Sequence, residues 1–231
     1  MPVIGAQDAA MARRRPIVAN GVPLHTASYI GLNWTARDGA PEPDPDALQP
    51  VAYLVEQPPH ATVDAHFHRV NQFQVAVAGA GSIGRHPLAP VAVHFADAFS
   101  AYGPIRAGEH GLQYLTLRNG YDPGARYLPG ARKELVANAK PRLESGLDLG
   151  QETVAPLPPL PGPDLASTER TAVAVLRNRP GGPAGWRHQL PAGADVTGPD
   201  PATGGGQFWV VVAGSLVLPG AAPLPPVSVV F

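Results

Sequence analysis

Two stretches of this chain, about 135 residues apart, spell nearly the same pair of strands. Gln72-Phe-Gln-Val-Ala-Val-Ala-Gly79 agrees with Gln207-Phe-Trp-Val-Val-Val-Ala-Gly214 at six of eight positions. Pro87-Leu-Ala-Pro-Val-Ala-Val-His-Phe95 agrees with Pro223-Leu-Pro-Pro-Val-Ser-Val-Val-Phe231 at six of nine, with one extra residue between the blocks in the second copy. Conserved order and spacing make this an internal repeat, so the chain holds two copies of one β unit. The copies are unequal in extent. Phe231 answers to Phe95, yet the first copy runs on for 23 residues to Arg118. The expectation is an incomplete second unit, finished by strands from residues 21–38 or by a partner chain, which makes a homodimer the expected assembly.

The segments around the repeat agree with an all-β reading. Val51–Val55, Gln72–Val77, Val91–Phe95 and Leu112–Arg118 are short, rich in β-branched and aromatic residues, and bounded by Gly, Pro or Asp. Gly (26) and Pro (29) suit tight turns between many short strands better than long helices. Residues 1–20 read as a flexible tail and 39–50 as a Pro-rich loop that cannot pair in a sheet. A first domain is expected over 21–125 and a second over 169–231. The stretch 126–168 between them reads as a Pro-rich linker, with one short helix within Gly130–Lys140 and an extended Ala155–Pro163.

Several function classes drop out. A net charge of −1 offers no field for phosphate backbones or anionic lipids, so neither nucleic acid nor a membrane surface is an expected partner. Arg13-Arg14-Arg15 has no interleaved aromatics and reads as a solvated end. The absence of Cys removes disulfides and thiolate chemistry and agrees with a cytoplasmic location. Gly79-Ala-Gly-Ser-Ile-Gly84 has dinucleotide-loop spacing, but Arg85-His86-Pro87 follows where a helix would have to start, so it reads as a hairpin. No Ser lies in a Gly-x-Ser-x-Gly context.

The residues with chemistry are His66 and His68. Two apart on a strand, they point the same way, and neutral imidazole nitrogens bind divalent transition metals. After them come Gln72 and, six residues further on, Gly79. This H-x-H-x3-Q-x6-G pattern resembles the first motif of the cupin superfamily, G-x5-H-x-H-x3,4-E-x6-G. Gln72 stands for the usual Glu, and Pro59 or His60 lies where the leading Gly belongs. The resemblance covers roughly residues 50–118 and, through the repeat, 171–231. It implies two antiparallel β-barrel or jelly-roll units of cupin type, with one Fe, Mn, Ni or Zn ion in the first.

The resemblance also implies a third imidazole. His94 is the preferred candidate, because Val91, Val93 and Phe95 share one strand face and leave Ala92, His94 and Ala96 on the other. His110 is the alternative, and a core imidazole bonded to Gln74 is the non-functional reading of His94. The expected metal set is therefore His66, His68, Gln72 and His94. Pro201 and Thr203 replace the His pair in the second copy, so no such site is expected there. The implied activity is metal-dependent dioxygenase, isomerase or lyase chemistry on a small polar organic molecule, with Arg106, Tyr102 or Gln74 orienting an oxyanion. A non-catalytic ligand-binding or sensing protein and a structural dimerisation module are the alternatives.

Overall fold

The structure, a computed structural model, describes residues 1–31, 41–44, 46–138, 152–153, 171–176, 183–200 and 204–231. Its elements are β1 (Ile4–Gly5), α1 (Gln7–Met11), β2 (Arg15–Ala19), β3 (Val22–Ile30), β4 (Val51–Gln57), β5 (Thr62–Val63), β6 (His66–Phe67), β7 (Gln72–Ile83), β8 (His86–Leu88), β9 (Val93–Ala96), β10 (Ile105–Arg118) and β11 (Arg126–Tyr127). After these come α2 (Arg132–Ala137), β12 (Glu152–Thr153), β13 (Thr171–Leu176), β14 (Gly185–Gln189), β15 (Trp209–Val210) and β16 (Val229–Val230). The described residues are mostly β, in antiparallel sheets.

The largest sheet runs in the order β12-β9-β7-β10-β4-β3-β2, with β5 joining β10 and β8 joining β7. Its centre is the pair β7 and β10, because the expected strands 72–77 and 112–118 lengthen into strands of 12 and 14 residues. The glycine-rich run after Gly79 lies within β7, and the turn falls at Gly84 and Arg85 before β8, so the hairpin reading is correct. Gly79 takes φ +72 where β7 and β10 touch, and a Cβ there would meet the Gly111 carbonyl oxygen at 2.2 Å, so only glycine fits.

Strand alternation sends side chains to two different cores. Leu112 and Tyr114 of β10, Val55 of β4, Ala76 of β7, and Ala92 and Ala96 at β9 face inward, with Ile83, Ile105 and Tyr102. The opposite face carries Leu115 and Leu117, Ala52 and Leu54, Ala27 and Tyr29, and Val75. That outer face is covered by Ala10 and Met11 of α1 and by Phe208, Val210, Val227, Val229 and Phe231. Burial on both faces explains why Tyr114 to Arg118 is buried without interruption.

Three expectations are corrected here. Residues 1–20 are not a flexible tail: β1 pairs with β16, Ala10 is fully buried, and β2 pairs with β3. The arginines are engaged too, Arg13 donating to the Ser28 carbonyl and Arg14 bonding Glu56. Nor do the described residues of 21–38 join the second copy, since β3 pairs with β4 in the first sheet, whereas residues 4–5 pair with β16 of the second copy. The physical reason is the outer face of the sheet, which needs an apolar cover that both chain ends supply.

The described parts of 169–231 form the pair β13–β14 and the two-residue strands β15 and β16, not a second run of long strands. Helix α2 falls inside the expected Gly130–Lys140, while Ala155–Pro163, Pro201 and Thr203 lie outside the described residues. Among the described residues, no helix is long and apolar enough to cross a membrane.

The two-core arrangement sets a stability test. Leu115→Ala empties a fully buried position on the outer face and is expected to cost about 2–5 kcal/mol in chemical denaturation. Val18→Ala, at a side chain 72% exposed on β2, is expected to stay within about 0.5 kcal/mol.

A candidate metal centre held by an arginine

His66 lies on β6 and His68 just beyond it, with ring centroids 5.2 Å apart and both side chains buried. The approach to them turns at His60, whose φ of +62 marks the place of the motif's missing glycine. Gln72 opens β7 on the inward face. Because Leu117 pairs with Phe73, Arg118 falls beside Gln72, and Gln74 pairs directly with His94 of β9. The four residues expected to hold a metal are therefore brought to one side of the barrel. They do not stand alone there.

Tyr102 is the residue at the middle. It forms an isolated bridge with His66, and its ring centroid lies 4.6 Å from that of His66 and 4.8 Å from that of His94. His66 donates Nδ1–H to the Asp64 carbonyl at 2.7 Å, which leaves Nε2 to accept the Tyr102 hydroxyl proton at 3.0 Å. The Gln72 side-chain amide donates in turn to the Tyr102 oxygen. The position converging on the His pair is thus a tyrosine and not a third imidazole.

The residue that no sequence expectation named is Arg118. Its Nε and Nη2 donate to Gln72 Oε1 at 3.0 and 2.9 Å, and its Nη1 donates to Asp122 Oδ2 at 2.8 Å. Nη2 also lies 3.0 Å from Nδ1 and 3.3 Å from Nε2 of His68. Since His68 donates Nδ1–H to Asp122 Oδ2 at 2.8 Å, Nε2 carries the ring's lone pair, and Nη2, close to both ring nitrogens at once, lies off that lone pair's axis. Tyr53 packs under the guanidinium, 5.6 Å from ring centre to Cζ.

Electrostatics fix the protonation states. Burial, then the Arg118 charge, push His68 down to about 3, so it is neutral at pH 7 and its contact with Asp122 is a hydrogen bond from a neutral ring. Burial opposes ionisation of Asp122, yet the Arg118 charge and the His68 hydrogen bond outweigh it and hold the carboxyl well below its usual range. Burial also opposes the charge on Arg118, but Tyr53 and Asp122 raise its pKa overall. Burial, then His66, bring His94 to about 3, and burial lowers His66 as well. Tyr102 is pushed up by burial and stays protonated.

His94 donates Nδ1–H to Gln74 Oε1 at 2.8 Å, the core-imidazole reading, while its buried Nε2 has no hydrogen-bond partner. His110 is exposed on β10, as is Arg106, so neither reaches the site. Gln74 also lines a cavity of ≈ 10 Å³ with Ala76, Leu88, Ile105 and Tyr114, room for about one water molecule.

This donor set does not fit a metal ion. The lone pairs of Gln72 Oε1 face Arg118, that of His66 Nε2 faces Tyr102, and the guanidinium lies against the His68 ring. A divalent ion about 4 Å from the guanidinium would meet repulsion on the order of 8 kcal/mol, at about 4 kcal/mol per unit-charge pair and an effective dielectric constant near 20. Among the described residues, no group of three or more His, Cys, Asp or Glu is placed to hold an ion. The expected set is brought together, but His68 and Gln72 contact the Arg118 guanidinium, while His66 and His94 stand against Tyr102. Arg118 had one legible signal: counting by two from Leu112 puts it on the same face as Tyr114 and Thr116.

No protein-family model matches the chain, and no curated protein does. Among solved structures, it is similar to a variant of oxalate decarboxylase from B. subtilis, with 13% identity, a TM-score of 0.35, and 48% of this chain matched to 28% of that one. It is also similar to a polyketide cyclase from Streptomyces resistomycificus (17%, TM-score 0.35, 48% of this chain and 78% of that one). A putative dioxygenase from Nostoc punctiforme aligns at 15% identity with a TM-score of 0.42, over 56% of this chain and 42% of that one. The match thus spans less than a third of the decarboxylase, and likeness at this level carries no chemistry across.

Two predictions follow from the network. Asp122→Asn leaves the buried Arg118 charge unbalanced and is expected to cost about 3–5 kcal/mol in urea unfolding. Between about pH 6.5 and 3 the unfolded chain protonates His68 and His94 while the folded chain does not, so stability falls as pH drops through that window. Asp122 adds to the loss only below its ordinary carboxylate range. A urea midpoint that declines from pH 7 to 4.5 is the expected result, and a flat one contradicts it.

Proposed function

We propose that this chain is a cupin-type module that binds a small polar ligand without turnover and without a metal. What supports this reading is the filled interior. Tyr102, Gln72 and Arg118 hydrogen-bond into the space between the imidazoles, which supports the absence of a metal, and the neighbouring cavity has room for about one water molecule, so a larger ligand would need part of the surrounding wall to move.

Among the described residues, β11 lies against His66, and α2 follows it in the chain. β11 pairs with β6, setting Tyr127 opposite His66 with ring centroids 5.3 Å apart. α2 is tied down by Glu134, which meets Arg69 and Arg126 at 2.7 Å each. Both arginines are over 40% exposed, so these ion pairs are of the kind that contributes about 0–1 kcal/mol and opens easily.

One observation favours the second reading, a metal-dependent dioxygenase, isomerase or lyase using Fe, Mn, Ni or Zn. The buried His94 Nε2 lacks a partner, as a ligand nitrogen without its ion would. Elemental analysis separates the two readings, applied to protein purified without added metal and to His66→Ala, alongside oxygen uptake with diketones and phenols. The proposal expects substoichiometric metal in both proteins and no uptake. Near-equimolar metal that disappears in His66→Ala would contradict it.

A further inference from the structure

Away from the imidazoles, two guanidinium groups close on a single carboxylate. β11 sets Tyr127 opposite His66, so strand alternation turns Arg126, which pairs with Phe67, to the other face. Arg69 reaches the same point from the loop after His68. Nε and Nη2 of Arg69 meet Oε1 of Glu134 at 2.8 and 2.7 Å, and Nε and Nη2 of Arg126 meet Oε2 at 2.8 and 2.7 Å. Each carboxylate oxygen thus receives two N–H groups from its own arginine. Without an anion between them, the two like charges would face one another across the same point.

The receiving arginines and the carboxylate are held unequally. Arg69 is fixed at its backbone by an N–H bond to Asp122 Oδ1 at 3.1 Å, and Arg126 by the pairing of β11 with β6. Glu134 rides instead on α2, a helix of six residues with no buried side chain and no side-chain cap at its start. So short a helix is marginal on its own in water, and what ties its carboxylate down is the two exposed ion pairs. The arginines belong to the barrel, and the carboxylate between them is the replaceable part.

We propose that Arg69 and Arg126 form a binding site for the carboxylate of a small organic acid, that Glu134 occupies this site from within the chain, and that a bound acid releases α2. Four N–H donors, two to each oxygen, match a planar carboxylate better than a spherical anion. Both arginines are more than 40% exposed, so the remainder of the acid faces solvent and the site selects the carboxylate group. It lies apart from the His pair and therefore stands whether or not the barrel holds a metal.

The test is acetate, which carries the end group of the Glu134 side chain, titrated into Glu134→Ala and into the parent protein at constant ionic strength. The Nε–H resonances of Arg69 and Arg126 are followed by NMR, with chloride as the control anion. In Glu134→Ala both resonances are expected to shift together and to saturate with acetate but not with chloride. In the parent protein half-saturation is expected at about tenfold higher acetate, because Glu134 competes from within the chain, and α2 resonances are expected to move toward random-coil positions as the site fills. Adding Arg126→Lys to Glu134→Ala keeps the charge, loses the paired donors and is expected to abolish saturation. Equal responses to acetate and chloride, the same half-saturation in parent and Glu134→Ala, an α2 that stays in place at saturation, or full binding in the lysine variant would each overturn the proposal.

Discussion

A guanidinium shut inside a β-barrel must find partners for its charge and its N–H groups, and much of the first barrel is arranged around that requirement. Arg118 is 4% exposed, and its neighbours Asp122, Gln72, His68 and Tyr53 come from two strands and two loops. A buried ion pair is weak evidence of stability by itself, because desolvation offsets much of the attraction. Its consequence here is specificity of position. Arg118 with Asp122 holds His68 in one tautomer, Gln72 in one amide orientation, and through Gln72 the hydroxyl of Tyr102. Each member satisfies the next, and the chain of bonds ends at His66 and the Asp64 carbonyl.

The large sheet makes this interior possible by burying both of its faces. The inward face of β10 presents Leu112, Tyr114, Thr116 and Arg118, while Leu115 and Leu117 point outward and would be exposed without a cover. That cover comes from both ends of the described chain, α1 and β1 on one side and the segment 207–231 on the other. The repeat is thus divided by role. Its first copy builds the centre of the sheet, and its second contributes short strands and aromatic residues that seal the back.

Much of this was legible in the sequence. The repeat and the alternating apolar runs gave the all-β reading, spacing put His66 and His68 on one face and His94 on the inward face, and the motif resemblance added Gln72. What escaped was non-local or misleading in its residue type. An Arg at the end of an apolar strand reads as the edge of the solvent, although the period of two from Leu112 already set it inside. Tyr102 was named as a group that could orient an oxyanion, but it lies in an irregular segment with no periodicity to show that it would bond His66 and Gln72. The first 20 residues, with three consecutive arginines, read as a tail because their partners lie either across a hairpin or more than 200 positions away in β16. The motif's absent glycine was visible, yet only the φ of His60 identifies which residue takes its conformation.

The central claim is that a guanidinium, not an ion, faces His68 and Gln72. A crystal structure of the protein as purified, with anomalous data collected across the iron and zinc edges, tests it most directly. The account predicts planar Arg118 density in contact with His68, Gln72 and Asp122, and no anomalous peak within coordination distance of His66 or His68. Arg118 swung away, with a metal bridging the two imidazoles, would contradict it.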